Sequence, residues 1–181
     1  MNDSDKKSAS GQPRSKKNKI IAILVIAAAV GGAAYFLQKA DNKVDSTFPS
    51  VDGIPCETEE YSTYHIHVHL DVFVNGQHAT VPQYIGIKDN TCLYWLHTHD
   101  TSGIMHIESP QQRNFTLGQF VDMWKATSSG VPSGDPIIFV NGQEVSTDFN
   151  TTILNAHDEI SLVYGQSPPN IPSFYQFPEG L

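Results

Sequence analysis

Residues 64–74 read YHIHVHLDVFV, and apolar and polar side chains alternate along most of this stretch. A period of two is typical of a β-strand with one face in the protein core. The predicted core face consists of Ile66, Val68, Leu70, Val72 and Val74. The opposite face consists of His65, His67, His69, Asp71 and Phe73. The sequence therefore predicts three histidines side by side on one face of this strand.

A hairpin follows this strand directly. Asn75-Gly76 is the strongest short-range signal for a two-residue β-turn. Such a turn places Phe73 opposite His78. Because Pro82 has no N–H group to donate, the return strand is expected either to lie at an edge of the sheet or to end at Pro82.

A second hairpin is predicted further along the chain. CLYWLHTH, residues 92–99, is interpreted as one strand, and residues 104–109 as the strand that returns. A four-residue loop between them places His97 opposite His106, with the Cβ atoms about 5 Å apart. The side chains that then share one face are His97, His99, His106 and Glu108.

One helix and three more strands complete the predicted domain. Residues 116–119 form a T-x-x-Q capping box, which marks a helix start, and residues 128–130 (SSG) mark its end. Residues 136–140, a second Asn-Gly turn and residues 158–164 supply the strands. The sequence thus predicts an α+β domain with mostly antiparallel pairing. The part from the helix through HDEISLVYG resembles the closing half of β-grasp, ubiquitin-like domains.

The charges of the chain are distributed unevenly around an apolar segment. Residues 20–37, IIAILVIAAAVGGAAYFL, have no charge and no proline and are close to the shortest helix that spans a bilayer. Residues 1–19 carry six basic and two acidic side chains, whereas residues 44–181 carry three basic and sixteen acidic ones. The positive-inside rule therefore predicts a disordered cytoplasmic tail, a single-pass anchor in the lipid bilayer of the cell membrane and an external C-terminal part.

A cleaved secretory signal is the alternative to this anchor. Such a signal has an apolar stretch of about 7–15 residues that ends in small side chains, whereas this segment ends in YFL. An uncleaved anchor is therefore favoured. Residues 38–63 are interpreted as a stalk and residues 64–166 as the extracytoplasmic domain. Residues 167–181 are a Pro-rich tail that either docks through its aromatic residues or is loose.

Cys56 and Cys92 are the only cysteines of the chain. Outside the cell, an even number of cysteines favours a disulfide bond. A pair of thiolates that binds a soft metal is the alternative. The predicted location therefore favours a bridge between these two residues.

Six of the eight histidines fall into two tight groups. Side chains at i and i+2 of a strand lie about 7 Å apart on one face, so two imidazoles can converge on one metal ion, whereas a third is too distant. His67 and His69 are expected to meet the second group. The candidate ligands are His65, His67, His69, His97, His99 and His106. Asp71, Asp100 and Glu108 are further candidates, as ligands or as groups that orient an imidazole.

Copper and zinc are the metals that suit such an imidazole-rich site. Two other interpretations of the histidines stay open. The first is a solvent-facing strand that happens to be rich in histidine, and the second is a pH sensor that becomes charged below about pH 6.5. His78 and His157 stand apart from both groups and are interpreted as ordinary histidines.

Composition and motifs reduce the number of function classes that fit the sequence. The net charge of −8 argues against a nucleic-acid binder, which needs a basic surface. The GxSxG, HExxH, P-loop and GxGxxG motifs are missing from the sequence. The prediction is a membrane-anchored extracytoplasmic protein that buffers, scavenges or delivers copper or zinc. The alternatives are a non-catalytic accessory subunit of a membrane complex and a small metal-dependent hydrolase or oxidoreductase, and a non-enzymatic role is favoured.

Three stretches also carry a family resemblance: HIHVHLDVFVNGQ, LHTHDTSGIMHIESP and FTLGQF. Together they resemble a family of small, often membrane-anchored prokaryotic proteins with HIHxHL and HTHD(T/A)SGIIH motifs. The resemblance covers about residues 64–125. It points to the same histidines and to a membrane anchor, and it implies no activity.

Overall fold

A computed structural model describes residues 48–89 and 91–181 of the chain. The predicted basic tail, the apolar segment 20–37 and the first part of the predicted stalk lie outside these residues. Within the two described ranges, no helix has both the length and the apolar character needed to span a membrane.

The described ranges contain ten strands and one helix. In chain order they are β1 (Cys56–Glu57), β2 (Tyr64–Val74), β3 (Gln77–Ala79), β4 (Ile87–Lys88), β5 (Cys92–Tyr94), β6 (Leu96–His97), β7 (Ile104–Ser109), α1 (Leu117–Thr127), β8 (Ile137–Val140), β9 (Gln143–Val145) and β10 (Glu159–Tyr164). The larger sheet has the order β6-β7-β2-β10-β8-β9, with β3 also paired to β2, and the smaller sheet has the order β1-β5-β4. β2 and β10 run parallel, and the other strand pairs are antiparallel. The predicted α+β class with mostly antiparallel pairing is confirmed.

The first hairpin has the predicted register, with Phe73 opposite His78. Its return strand β3 ends at Ala79, however, and does not continue to Pro82. The first half of β2 pairs with β7 along the same edge. Among the described strands β3 pairs only with β2, so it lies at an edge as expected, and it ends before Pro82 because β7 occupies the rest of that edge of β2.

The second hairpin also has the predicted register, with His97 opposite His106. The single strand predicted for residues 92–99 is divided into β5 and β6, which belong to different sheets. β5 pairs with β1, and the disulfide between Cys56 and Cys92 also joins these two strands. β6 instead extends the larger sheet beyond β7.

The predicted disulfide is confirmed, with the Cα atoms of Cys56 and Cys92 5.4 Å apart. This bond excludes the alternative of a thiolate pair for a soft metal. Ile54 and Cys56 are fully buried in the hydrophobic core. The folded domain therefore begins before residue 64, and residues 54–57 of the predicted stalk belong to it.

The helix α1 begins and ends as predicted. The Thr116 hydroxyl accepts the Gln119 N–H (N to Oγ1 3.3 Å), and the Gln119 amide oxygen accepts the Thr116 N–H (N to Oε1 3.2 Å). The C-cap is Ser128. The apolar side of the helix joins one core cluster with the apolar face of β2. The opposite face of the larger sheet, which bears His65, His67 and His69, is called the histidine face below.

The Pro-rich tail packs on this histidine face. The Tyr175 ring stacks on the His69 ring, with centroids 3.7 Å apart and planes 6° apart. The Phe177 ring contacts both Tyr175 and His157, at centroid distances of 5.0 and 4.8 Å. Phe174 remains 75% exposed. Of the two alternatives for the tail, docking is therefore observed, through Tyr175 and Phe177.

Candidate metal centre

Three adjacent strands place three histidines in one row. His67 on β2 lies opposite His106 on β7, which in turn lies opposite His97 on β6. Residues opposite each other in antiparallel strands point to the same side of a sheet. His65 and His99 flank the row, and the His106 ring lies within 5.6 Å of the four other rings, measured between centroids. These five side chains are called the histidine cluster.

The ring nitrogens of the cluster have the spacing of metal ligands. The His106 Nδ1 atom is 3.2 Å from His67 Nε2 and 3.4 Å from His65 Nε2. The Nε2 atoms of His97 and His99 are 3.2 Å apart. Two nitrogens about 2.0 Å from a tetrahedral zinc ion lie about 3.3 Å from each other. The cluster therefore offers two overlapping ligand groups, His65-His67-His106 and His97-His99-His106.

A buried carboxylate completes the cluster. Glu108 is 2% exposed, and neither of its side-chain oxygens has a hydrogen-bond partner. Its Oε1 atom lies 3.2 Å from His65 Nε2, 3.7 Å from His106 Nδ1 and 3.9 Å from His97 Nε2. An unsatisfied buried charge is costly, whereas a cation among these nitrogens would offset the carboxylate. The donor set therefore fits a metal ion.

The backbone orients His97 for this role. Its Nδ1–H group donates to the Tyr94 carbonyl at 2.9 Å (N to O). A carbonyl oxygen only accepts, so the proton of the neutral ring lies on Nδ1 and the lone pair on Nε2. That lone pair is directed at the cluster, as is usual for a histidine that binds a metal.

Glu60 is a candidate ligand that sequence reasoning missed. Its Oε1 atom lies 3.6 Å from His99 Nε2 and 3.8 Å from His97 Nε2. Glu60, His97 and Glu108 form a third group of ligand atoms within 4.8 Å of one another. Glu60 lies in an acidic stretch of the predicted stalk, and no local pattern distinguishes it from its neighbours. Only the packing of residues 58–63 beside β6 brings it to the cluster.

Burial keeps the inner histidines neutral. The pKa of His67 is lowered to about 4, chiefly by loss of solvation and then by the nearby His106 and His65. Loss of solvation also lowers the pKa of His97 to about 4, against the opposing charge of Glu108. Burial would raise the pKa of Glu108, but the surrounding imidazoles lower it overall. At neutral pH the site thus combines a carboxylate with free imidazole lone pairs.

These pKa values predict how the stability of the metal-free chain depends on pH. The folded-state pKa values of His67 and His97, about 4, lie below the ordinary value of 6.5. Between these values the unfolded chain binds protons that the folded chain does not, so the free energy of unfolding falls as the pH falls from 6.5 towards 4. Urea denaturation of chelator-treated protein at several pH values measures this fall.

The control for this prediction is His97→Asn, whose amide can still donate to Tyr94. This variant lacks one of the two histidines with a lowered pKa. Its free energy of unfolding should therefore fall less between pH 6.5 and 4 than that of the unaltered chain. Equal pH dependence in the two proteins would contradict a buried neutral His97.

His69 departs from the expected arrangement. Its Nε2–H group donates to the Ser102 carbonyl (N to O 2.8 Å), and its Nδ1 atom lies 2.6 Å from Glu159 Oε2. Burial opposes protonation, but the hydrogen bond and charge of Glu159 raise the pKa of His69 overall. Both ring nitrogens are engaged, so His69 does not join His67 at the histidine cluster. The expectation that His67 and His69 together meet the second group is wrong.

The two predicted aspartates lie elsewhere on the domain. Asp71 Oδ1 accepts the Nε2–H group of His78 at 2.8 Å (N to O) and lies beside His69 and Glu159. Asp100 accepts the N–H group of Ser102 at 2.8 Å (N to O), and the side-chain and backbone hydrogen bonds of Ser102 lower the pKa of Asp100. Asp100 therefore shapes the turn between β6 and β7. Glu108 is the predicted acid that the fold brings into the centre of the cluster.

The chain has no match among family models, curated proteins or solved structures. The resemblance to the HIHxHL family therefore stays a prediction. Function is inferred below from the geometry of the site.

Proposed function

We propose that the chain is a membrane-anchored extracytoplasmic protein whose histidine cluster, with Glu60 and Glu108, binds copper or zinc. The observation that carries the proposal is Glu108. Both of its oxygens are buried without a hydrogen-bond partner, and Oε1 lies 3.2–3.9 Å from ring nitrogens of His65, His106 and His97. A bound cation satisfies the carboxylate and the imidazole lone pairs together.

The donor types select the metal. The cluster offers imidazole nitrogens and carboxylate oxygens, whereas both cysteines are bonded to each other. Nitrogen donors suit zinc and divalent copper, and soft thiolates would have favoured monovalent copper. We therefore expect Zn²⁺ and Cu²⁺ to bind more tightly than hard cations at this cluster.

The burial pattern supports a role in carrying metal. His67 and His97 are buried, whereas His65, His99 and Glu60 are exposed. The exposed side chains form the edge through which an ion enters and leaves. An acidic domain also attracts cations, so buffering, scavenging or delivery fits the charge.

Two features support the proposed location outside the membrane. The apolar segment 20–37 follows a basic stretch, and the folded domain contains a disulfide, which is typical of oxidising compartments.

The strand order supports a different part of the proposal, the β-grasp resemblance of the domain. The order is β3-β2-β10-β8-β9, with β10 parallel to β2. The location and the β-grasp resemblance are proposals, as is the metal site.

Metal content tests the proposed function. The full chain, purified in mild detergent, is loaded with Zn²⁺ or Cu²⁺, desalted and subjected to elemental analysis. We expect about one tightly held ion per chain. Nitrogen hyperfine splitting in the Cu²⁺ EPR spectrum should show imidazole ligands. Protein that folds correctly but retains neither metal would refute the proposal.

A further inference from the structure

A second polar group lies on the histidine face, beyond the histidine cluster. β2 and β10 run parallel and pair His69 with Glu159 and Asp71 with Ser161. Because paired residues point to the same side of a sheet, these four side chains share the histidine face. Glu159 and Ser161 are buried there, although both are polar.

Two atoms of this group lack the partners that burial demands. Four buried side-chain oxygens have no hydrogen-bond partner among the described residues, and two of them belong to Glu108. The other two are Glu159 Oε1 and Ser161 Oγ. Such atoms are rare in proteins and indicate an ion, a water molecule or a functional role that satisfies them.

His69 positions Glu159 and is not a ligand. Its Nδ1 atom is 2.6 Å from Glu159 Oε2, shorter than the distance of about 3.3 Å between two ligands of one tetrahedral ion. That short contact is a hydrogen bond, which leaves Glu159 Oε1 available. Carboxylates that bind metals are commonly held by such a hydrogen bond.

The C-terminal tail covers the His69 side of this group. Tyr175 stacks directly on the His69 ring, and Phe177 packs against Tyr175. Asp71 is half-buried, and its Oδ1 atom is already bonded to His78. Glu159 Oε1 and Ser161 Oγ have no hydrogen-bond partner, and Asp71 carries a second carboxylate oxygen besides the one bonded to His78.

We propose that Asp71, Glu159 and Ser161 form a second cation site, which takes one hard divalent ion such as Mn²⁺ or Ca²⁺. Oxygen-only donors from two carboxylates and a hydroxyl suit these ions and disfavour copper. Ligand atoms of Asp71, Glu159 and His69 lie within 4.8 Å of one another, close enough for the two carboxylates to hold one ion. The proposal does not rest on metal binding at the histidine cluster.

Mn²⁺ is the probe that separates the two sites, because among first-row divalent metals it binds nitrogen ligands most weakly. The full chain in detergent is titrated with Mn²⁺, and free Mn²⁺ is measured by EPR. We expect one Mn²⁺ per chain, with affinity at least tenfold lower in Glu159→Gln and in Asp71→Asn. Ser161→Ala should lower it severalfold. His106→Ala, in the histidine cluster, and Asp148→Asn, at an exposed aspartate, should leave it unchanged.

A second readout uses Tb³⁺, which occupies Ca²⁺-type sites. Tyr175 stacks on the positioning histidine, so excitation of tyrosine should sensitise Tb³⁺ emission, and Tyr175→Leu should remove most of it.

Two Mn²⁺ results would overturn the proposal. One is equal Mn²⁺ affinity in the unaltered chain, Glu159→Gln and Ser161→Ala, and the other is absence of Mn²⁺ binding. In either case the alternative explanation holds, in which a proton shared between Asp71 and Glu159, and not a metal ion, satisfies the buried carboxyl group. Loss of Mn²⁺ in His106→Ala would also overturn it and place the ion in the histidine cluster. If Glu159→Gln fails to fold, the Ser161→Ala result decides.

Discussion

His106→Ala should weaken Zn²⁺ and Cu²⁺ binding by about 100-fold or more. His106 is the residue that the two histidine groups share, and its Nδ1 atom is within 3.4 Å of both His65 and His67. Removal of a group that merely supports a ligand already costs about 10–100-fold in affinity, so loss of the shared ligand should cost more. Competition with a chromophoric chelator on the full chain in detergent measures the dissociation constants.

Matched variants separate this effect from a general loss of histidine. His65→Ala and His99→Ala each remove a member of one group only, so their affinities should fall less than that of His106→Ala. His78→Ala removes an exposed histidine outside the cluster and should keep an affinity within about twofold of the unaltered chain. Affinity in His106→Ala close to that in His78→Ala would contradict the proposed centre.

Gly103→Ala should destabilise the domain strongly. Gly103 has φ +88°, and a Cβ atom there would lie 2.5 Å from the Leu70 carbonyl oxygen and 3.0 Å from His69 Nε2. The Leu70 N–H group already donates to the Gly103 carbonyl at 2.9 Å (N to O), so the added methyl group forces β7 away from β2. Overpacking of this kind costs about 1–3 kcal/mol, in addition to about 1–2 kcal/mol for the left-handed backbone. Thermal denaturation measures the change.

Gly130→Ala is the matched control for this substitution. Gly130 has φ +90°, almost the same as Gly103, but a Cβ atom there meets nothing within 4 Å. It should therefore show only the backbone cost, and the difference between the two variants isolates the close contact of β7 with β2. A difference of several degrees in melting temperature is expected. Equal melting temperatures would show that β7 yields to the methyl group without cost.

The local elements were predictable because their signals are local. Asn75-Gly76 adopts φ values of 50° and 79° and closes the first hairpin in the predicted register. Thr116 and Gln119 exchange the two hydrogen bonds of a capping box. Each of these features depends on a few neighbouring residues, so propensity and turn geometry suffice to predict it.

The composition of the candidate site was only partly predictable. The pairing of His97 with His106 followed from the length of one short loop. Glu60 and Glu159 were missed, because their partners lie far away in the sequence: Glu159 is ninety residues from His69. No periodicity encodes such a contact. It depends on which strand lies next to β2, and therefore on the whole sheet.

Residue spacing alone determined that His65, His67 and His69 share one face of one strand, because side chains alternate across a β-strand. Their separate roles were decided only by the tertiary structure. β7 brings His106 beside His67, whereas β10 brings Glu159 beside His69, since two different strands pair with the two edges of β2. A single repeating motif is thus divided between the histidine cluster and a carboxylate group covered by the tail. The physical reason is that a hydrogen-bonded neighbour, and not the strand itself, supplies the groups that surround each histidine.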